Sequence, residues 1–284
     1  MASTARVALV TGGNSGIGAG IARRLAGRGD AVAVVGRRGA LCDAVAASIS
    51  AAGGDCLAIE ADLADPEAPG RVVAEVAARW GRLDTLVNDA AIIKNLPIPE
   101  LTVELMDAHY AVNVRAPFLL TQAALPLLTA SDNASIVNIS SSSGSLSIPG
   151  QLAYGFTKAA IEFMTRSYAA ELAPAGVRVN CIAPGPIDTP IHLTWAADME
   201  TAYRALRDAT PLGLIGQPDD IARWVDYLTA PDEHYVTGAI LHIDAGQTLN
   251  GWASAIADAA GMADASMATV PQTTGGTDVR SHRE

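Results

Sequence analysis

Short apolar runs alternate with helical stretches along most of this chain, and that alternation leaves few folds open. Residues 7–10, 31–35, 56–60, 86–88, 135–139, 177–182 and 239–243 each have the length and apolar content of a buried strand. Between them, residues 17–28, 41–52, 69–80, 103–128 and 152–172 carry apolar side chains at helical spacing. Pro218-Asp219-Asp220 opens a further helix, with proline in its first turn and acids at the positive end of the dipole. Pro117 and Pro126 are expected to kink the long helix. Strands separated by helices run parallel, with helices on both faces of the sheet. The fold class expected is therefore α/β: a single doubly wound domain with a seven-stranded parallel sheet, over residues 1–249.

Two stretches break the alternation. Residues 186–216 form a long insertion between the last two strands. Residues 250–284 are rich in Ala, Gly, Ser and Thr and read as a partly disordered tail. Trp252, Ile256 and Met262 would give that tail something to bury on a neighbouring subunit.

Half of the 284 residues are apolar, enough for a large core. The net charge of −11, from 19 basic and 30 acidic residues, opposes binding to nucleic acid or to an anionic membrane. Cys42, Cys56 and Cys181 lack metal-ligand spacing and read as buried thiols of a reducing compartment. Residues 1–6 are too short and polar for a signal peptide, and no run reads as a membrane span. The expectation is a cytoplasmic protein.

Two motifs carry chemistry. The first is Thr11-Gly12-Gly13-Asn14-Ser15-Gly16-Ile17-Gly18, between the first strand and the first helix. Glycines there let the backbone approach a pyrophosphate, which the free N–H groups of the helix start then bind. After the second strand, where an acid would hold the 2′-hydroxyl of NAD, the chain has Gly36-Arg37-Arg38. Adjacent guanidinium groups suit a 2′-phosphate, so NADP is expected over NAD. The second motif is Tyr154-Gly155-Phe156-Thr157-Lys158. Residues four apart share one helix face, and an ammonium beside a phenol favours the phenolate, giving a general acid/base. No histidine sits in a metal-ligand cluster, and His192 lies in the insertion as either a substrate contact or a surface residue.

With these motifs in this order, and Ser141 in the run Ser140-Ser141-Ser142-Ser143, the chain resembles the classical short-chain dehydrogenase/reductases over residues 6–247. The resemblance implies a Rossmann-type domain and a set of roles. Tyr154 would exchange a proton with the substrate oxygen. Lys158 would assist it and hold the nicotinamide ribose. Ser141, thirteen residues before Tyr154, would polarise the same oxygen. Asn113 would hold a water that completes a proton relay. Asp62 and Leu63 match the family's adenine contact, Pro184 and Gly185 its loop after the sixth strand, and Ile187 and Thr189 its carboxamide contacts. Residues 186–216 would be a substrate lid, in which Ile191, Leu193 and Trp195 and, further on, Met199, Tyr203 and Leu206 either form a lipophilic cover over the substrate or pack the lid onto the body.

The family's Asn-Asn-Ala-Gly reads Asn88-Asp89-Ala90-Ala91 here, with Asn88 and Ala90 still placed to meet the cofactor. Thr157 stands for a common serine and Ala245 for a common glycine. The resemblance implies an oxidoreductase acting on a small carbonyl or secondary-alcohol substrate, in a homotetramer or homodimer. A 3-oxoacyl-carrier-protein reductase is the rival within the class, although only Lys94 and Arg115 suggest a basic docking patch. A non-catalytic dinucleotide-binding scaffold is the rival outside it.

Overall fold

The computed structural model describes residues 5–191 and 198–249. A compact unit extends to Thr248. His192, Leu193, Trp195 and the segment 250–284, with Trp252, Ile256 and Met262, lie outside the described residues.

Seven strands form one parallel sheet: β1 (Val7–Thr11), β2 (Ala31–Gly36), β3 (Cys56–Glu60), β4 (Thr85–Asn88), β5 (Ala134–Ile139), β6 (Val177–Pro184) and β7 (Ile240–Ile243). Their order is β3-β2-β1-β4-β5-β6-β7. Both faces are covered, which is why the central strands read as unbroken apolar runs. Within β1, Val7 and Leu9 enter one core and Ala8 and Val10 the other. The first core is closed by α3 (Ala68–Trp80) and α5 (Ala116–Leu128), through Val72, Val76, Leu120 and Leu128. The second is closed by α1 (Gly16–Arg28), α2 (Gly39–Ala51) and α8 (Pro218–Leu228), through Ile21, Leu25, Val45, Ile49, Ile221 and Val225. The chain therefore winds in both directions from β1, and the crevice outside the carboxyl ends of β1 and β4 is the natural place for a ligand.

The long helix expected over residues 103–128 is divided, but not at its prolines. α4 (Val103–Tyr110) and α5 are joined by a widened π turn over Ala111–Arg115. Pro117 has no N–H to offer the carbonyl of Asn113 four residues earlier, so an ordinary α turn cannot close there. Pro126 lies inside α5 without ending it. By length and composition alone Val103–Leu128 would pass for a membrane span. Here Ala116, Leu120, Ala124 and Leu128 are buried against the sheet.

The insertion after β6 is closed at its base by a parallel bridge between Ile187 and Gly216. It carries α7 (Met199–Asp208), which Asp198 caps by accepting the N–H groups of Glu200 and Thr201. Met199, Ala202, Tyr203 and Leu206 form the covered face of this helix. α6 (Leu152–Leu172) precedes β6 and carries the tyrosine and lysine of the second motif.

Candidate active site

The turn between β1 and α1 is shaped by contacts that only glycine permits. A Cβ on Gly12 would lie 3.0 Å from the backbone of Ala90, and one on Gly18 would lie 2.5 Å from the carbonyl of Gly12. Thr11 ties the turn to β4: its Oγ1 accepts the N–H groups of Asp89 and Ala90, each at 3.1 Å, and donates to Val87 O at 3.3 Å. Ser15 stands before α1, but its side chain makes no capping bond, so the first N–H groups of the helix are not spent on it. The side-chain amide of Asn14 lies over Gly36 at the end of β2. Thr189 reaches across from the base of the insertion to Gly16, where a Cβ would sit 3.2 Å from its methyl. The close approaches at Gly12, Gly16 and Gly18, with a helix start that Ser15 leaves uncapped, fit a dinucleotide pyrophosphate.

At the end of β5 the chain turns through four serines. Ser140, Ser142 and Ser143 are buried, and Ser141 alone of the four is partly exposed. Its Oγ caps the short turn Ser142–Gly144 by accepting the N–H of Ser143 at 3.2 Å. This turn is seated on α6 in two places. The carbonyl of Ser143 would lie 2.7 Å from a Cβ on Gly155, the residue after Tyr154. Ser140 Oγ donates to Glu162 Oε1 at 2.9 Å and also meets Lys158 O at 3.1 Å. Lys158 is only 3 % exposed, yet its Nζ donates to Ile139 O at 2.8 Å and lies 5.5 Å from the ring centre of Tyr154. Ser141, Tyr154 and Lys158 are thus gathered at the carboxyl end of β5.

Asn113 lies in the π turn, 2 % exposed, and its side chain acts as a clamp. Oδ1 accepts Ile92 N–H at 2.9 Å, while Nδ2 donates to Ile92 O and to Thr157 Oγ1, both at 3.0 Å. Thr157 passes the link on by donating to Tyr154 O at 2.7 Å. One turn earlier, the fully buried His109 accepts Lys94 N–H at Nε2, with Nδ1 2.8 Å from Leu105 O. Asn113 thus holds the loop after β4 against α6, and His109 holds it against α4.

The Asn88-Asp89-Ala90-Ala91 segment departs from the family pattern but remains tied to the sheet. Asn88 Nδ2 donates to Asn138 Oδ1 at 2.8 Å, and Asn138 Nδ2 to Thr165 Oγ1 at 2.9 Å. Asn88 Oδ1 is a buried acceptor without a protein donor. The Asp89 carboxyl lies against Gly12 and Gly18. Burial pushes it up to about 7, against the pull of the Lys158 ammonium and the Gly18 N–H.

Residues 12–248 match the family model described as enoyl-(acyl carrier protein) reductase. The chain is 39 % identical over 241 residues to the 2,5-dichloro-2,5-cyclohexadiene-1,4-diol dehydrogenase LinX of Sphingobium indicum, covering 85 % of this chain and 95 % of that one. The chain belongs to the short-chain dehydrogenase/reductase family. A second relative in it is the cis-4-hydroxycyclohexanecarboxylate dehydrogenase of Sinomonas cyclohexanicum, 35 % identical over 244 residues, 86 % of this chain and 96 % of that one. Among solved structures, the 3-ketoacyl-(acyl-carrier-protein) reductase of Brucella melitensis complexed with NADH superposes with a TM-score of 0.80. It is 32 % identical and covers 86 % of this chain and 98 % of that one. The protein is accordingly an NAD(P)-binding oxidoreductase.

In this short-chain dehydrogenase/reductase the remaining residues named from the sequence lie at or just beyond the carboxyl ends of β2, β3, β6 and β7. Arg37 and Arg38 are exposed at the end of β2, and among the described residues neither forms an ion pair. The Glu60 carboxylate lies beside Gly39 on the same rim. Asp62 is exposed and accepts Ala64 N–H at 3.0 Å, whereas Leu63 is buried. Pro184 ends β6, and Gly185 packs so closely on Asp244 that a Cβ would meet its Cα at 2.6 Å. Ile187 is buried and Thr189 is the residue over Gly16. Ala245 keeps the backbone of the glycine it stands for, at φ 54°.

Two supporting residues escaped the sequence reading. His109 could have been found by its position one helical turn before Asn113. Glu162, one turn after Lys158, extends the face that Tyr154 begins. Its carboxylate fills the space that a side chain on Gly144 would need.

Proposed function

We propose that this protein transfers a hydride between NADP(H) and the carbonyl or secondary alcohol of a small lipophilic molecule, with Tyr154 as general acid/base. The observation that carries the reading is the seating of the serine turn. Only Ser141 of its four serines is open to solvent, and the turn rests on Gly155, beside Tyr154 and one turn from Lys158. Tyr154 would give or take the proton at the substrate oxygen. Ser141 would donate a hydrogen bond to the same oxygen. Lys158, whose Nζ lies 5.5 Å from the Tyr154 ring centre, would assist the proton transfer and hold the cofactor ribose. The side chain of Asn113 is committed to Ile92 and Thr157, so its carbonyl, which Pro117 cannot serve, is left to hold the relay water.

The nicotinamide supplies or accepts the hydride when bound. The residues that would hold the cofactor are Thr11, Gly12, Asn14, Ser15, Gly16, Ile17 and Gly18 at the pyrophosphate and Asp62 and Leu63 at the adenine. Asn88 and Ala90 would line its path, and Pro184, Gly185, Ile187 and Thr189 would hold the carboxamide end. Arg37 and Arg38 would take the 2′-phosphate. An NADH-linked reading draws on Glu60 at the same rim and on the Brucella relative, which was solved with NADH.

The apolar residues Met199, Tyr203 and Leu206 of α7, in the insertion read as a lid, favour a lipophilic substrate. Two relatives named for alcohols of six-membered rings point to an alicyclic one. A carrier-protein substrate is less well supported, because the Arg115 guanidinium is turned onto the carbonyl of Ala64. Exposed Tyr110, Phe118, Phe156 and Phe163 on α4, α5 and α6 support assembly into a homodimer or homotetramer. The test is a panel of cyclic and acyclic ketones and alcohols followed by nicotinamide absorbance with both coenzymes. NADPH-linked reduction of cyclic ketones is expected. Coenzyme binding without turnover on any substrate would favour the scaffold instead.

A further inference from the structure

We infer that Asp89 makes coenzyme binding take up a proton, so that this chain binds its dinucleotide more tightly on the acid side of neutrality. The inference deepens the proposed function and rests on reading the turn over residues 11–18 as the pyrophosphate site.

Asp89 stands where the family pattern has an amide, and its carboxyl is inside the cradle. A Cβ on Gly12 would lie 3.0 Å from Asp89 Oδ2, and one on Gly18 only 2.7 Å from it. The Gly18 N–H faces the carboxyl and favours its charged form. That N–H belongs to the first turn of α1, the group of donors a phosphate needs. An ionised Asp89 would therefore place a negative charge where the pyrophosphate brings its own, and would hold one of its donors. A neutral carboxyl removes the repulsion and gains an O–H that a phosphate oxygen can accept.

Little around Asp89 offsets the charge. The β1–α1 turn faces it with glycine backbone and with Thr11 Oγ1, which is already accepting the N–H groups of Asp89 and Ala90. From β4, Asn88 is uncharged and its amide is directed to Asn138. From α6, the charged group that faces it is Lys158, whose Nζ donates to Ile139 O at 2.8 Å. A dianionic ligand in the cradle would compete for that single ammonium as well. The carboxyl already sits high in the free protein, and nearby phosphate charge raises it further. Binding at neutral or alkaline pH then draws a proton from solvent onto Asp89.

The test is calorimetric titration of the full chain with NADH, and separately with NADPH, at pH 8 in two buffers of different ionisation enthalpy. The dissociation constant is followed from pH 7 to 8.5. The wild type is expected to take up about one proton per coenzyme at pH 8. A carboxyl titrating at about 7 in the free protein gives a roughly fifteenfold weakening over that pH range. Asp89→Asn keeps an acceptor for Gly18 and is expected to bind with no proton uptake and a flat profile. A wild type that binds without taking up a proton overturns the inference. So does an Asp89→Asn variant with the wild-type slope. If that variant fails to fold, the wild-type proton count decides alone. A wild type that binds neither coenzyme at any pH overturns the dinucleotide reading itself, and this inference with it.

Discussion

Replacing Asn113 by alanine separates the clamp from the chemistry. The wild-type side chain makes three hydrogen bonds of 2.9–3.0 Å, two to the backbone of Ile92 and one to Thr157 Oγ1. Each is worth about 1 kcal/mol net in a folded protein, so Asn113→Ala should cost about 3 kcal/mol. Ile92 is not fully buried, and water can replace part of what its N–H and C=O lose, which keeps the figure from rising further. In a domain of this size that loss lowers Tm by roughly 6–12 °C. Asn113→Asp keeps the acceptor for Ile92 N–H but turns a carboxylate oxygen toward Ile92 O, so it should destabilise at least as much at pH 7. Thermal unfolding followed by circular dichroism, with a urea titration beside it, gives both numbers. A shift within about 2 °C for the alanine variant would refute the clamp, and so would an aspartate variant close to wild type.

Exchanging both Arg37 and Arg38 for alanine should weaken NADPH by at least tenfold and leave NADH nearly unchanged, since paired guanidinium groups serve only the 2′-phosphate. Fluorescence titration measures it, and equal losses with both coenzymes would contradict the assignment. Asp84 offers a pH test at the opposite end of the sheet. Burial alone would raise this fully buried carboxyl, but Arg82, Ser131 and the Val7 N–H together hold it below the ordinary range. A depressed folded value contributes stability that is present above the unfolded value near ~4 and is lost as pH falls through the folded one. Asp84→Asn should therefore cost about 3 kcal/mol at pH 7 and flatten the acid limb of the stability profile. An unchanged acid limb would show that other carboxylates govern it.

Much of this architecture was legible because parallel strands covered on both faces leave an uninterrupted apolar record. Cys56–Glu60 was delimited correctly from its residues alone, and the other strands differ by one or two positions at their ends. The widened turn at Ala111–Arg115 was not legible: the prolines suggested kinks at their own positions, whereas the consequence of Pro117 falls four residues back on Asn113. The tyrosine, the lysine and the glycine-rich turn announce themselves by spacing. The groups that seat them do not, because their contacts cross the chain. Thr11 meets Asp89 across two strands, Ser140 meets Glu162 between a strand end and a helix, and His109 meets a backbone N–H in a loop. No periodicity records such pairs. Ser141 lies between: the resemblance chose it from four serines, and its partial exposure gives that choice a physical basis.

The most direct measurement is turnover and coenzyme binding of Tyr154→Phe, made side by side on a ketone that the wild type reduces. Only the phenolic hydroxyl is lost, and the ring that packs beside Lys158 is kept. Turnover is predicted to fall by at least ~10²-fold, the scale of a missing general acid, while NADPH binds within about threefold of wild type. Turnover within a few-fold of wild type would contradict the account.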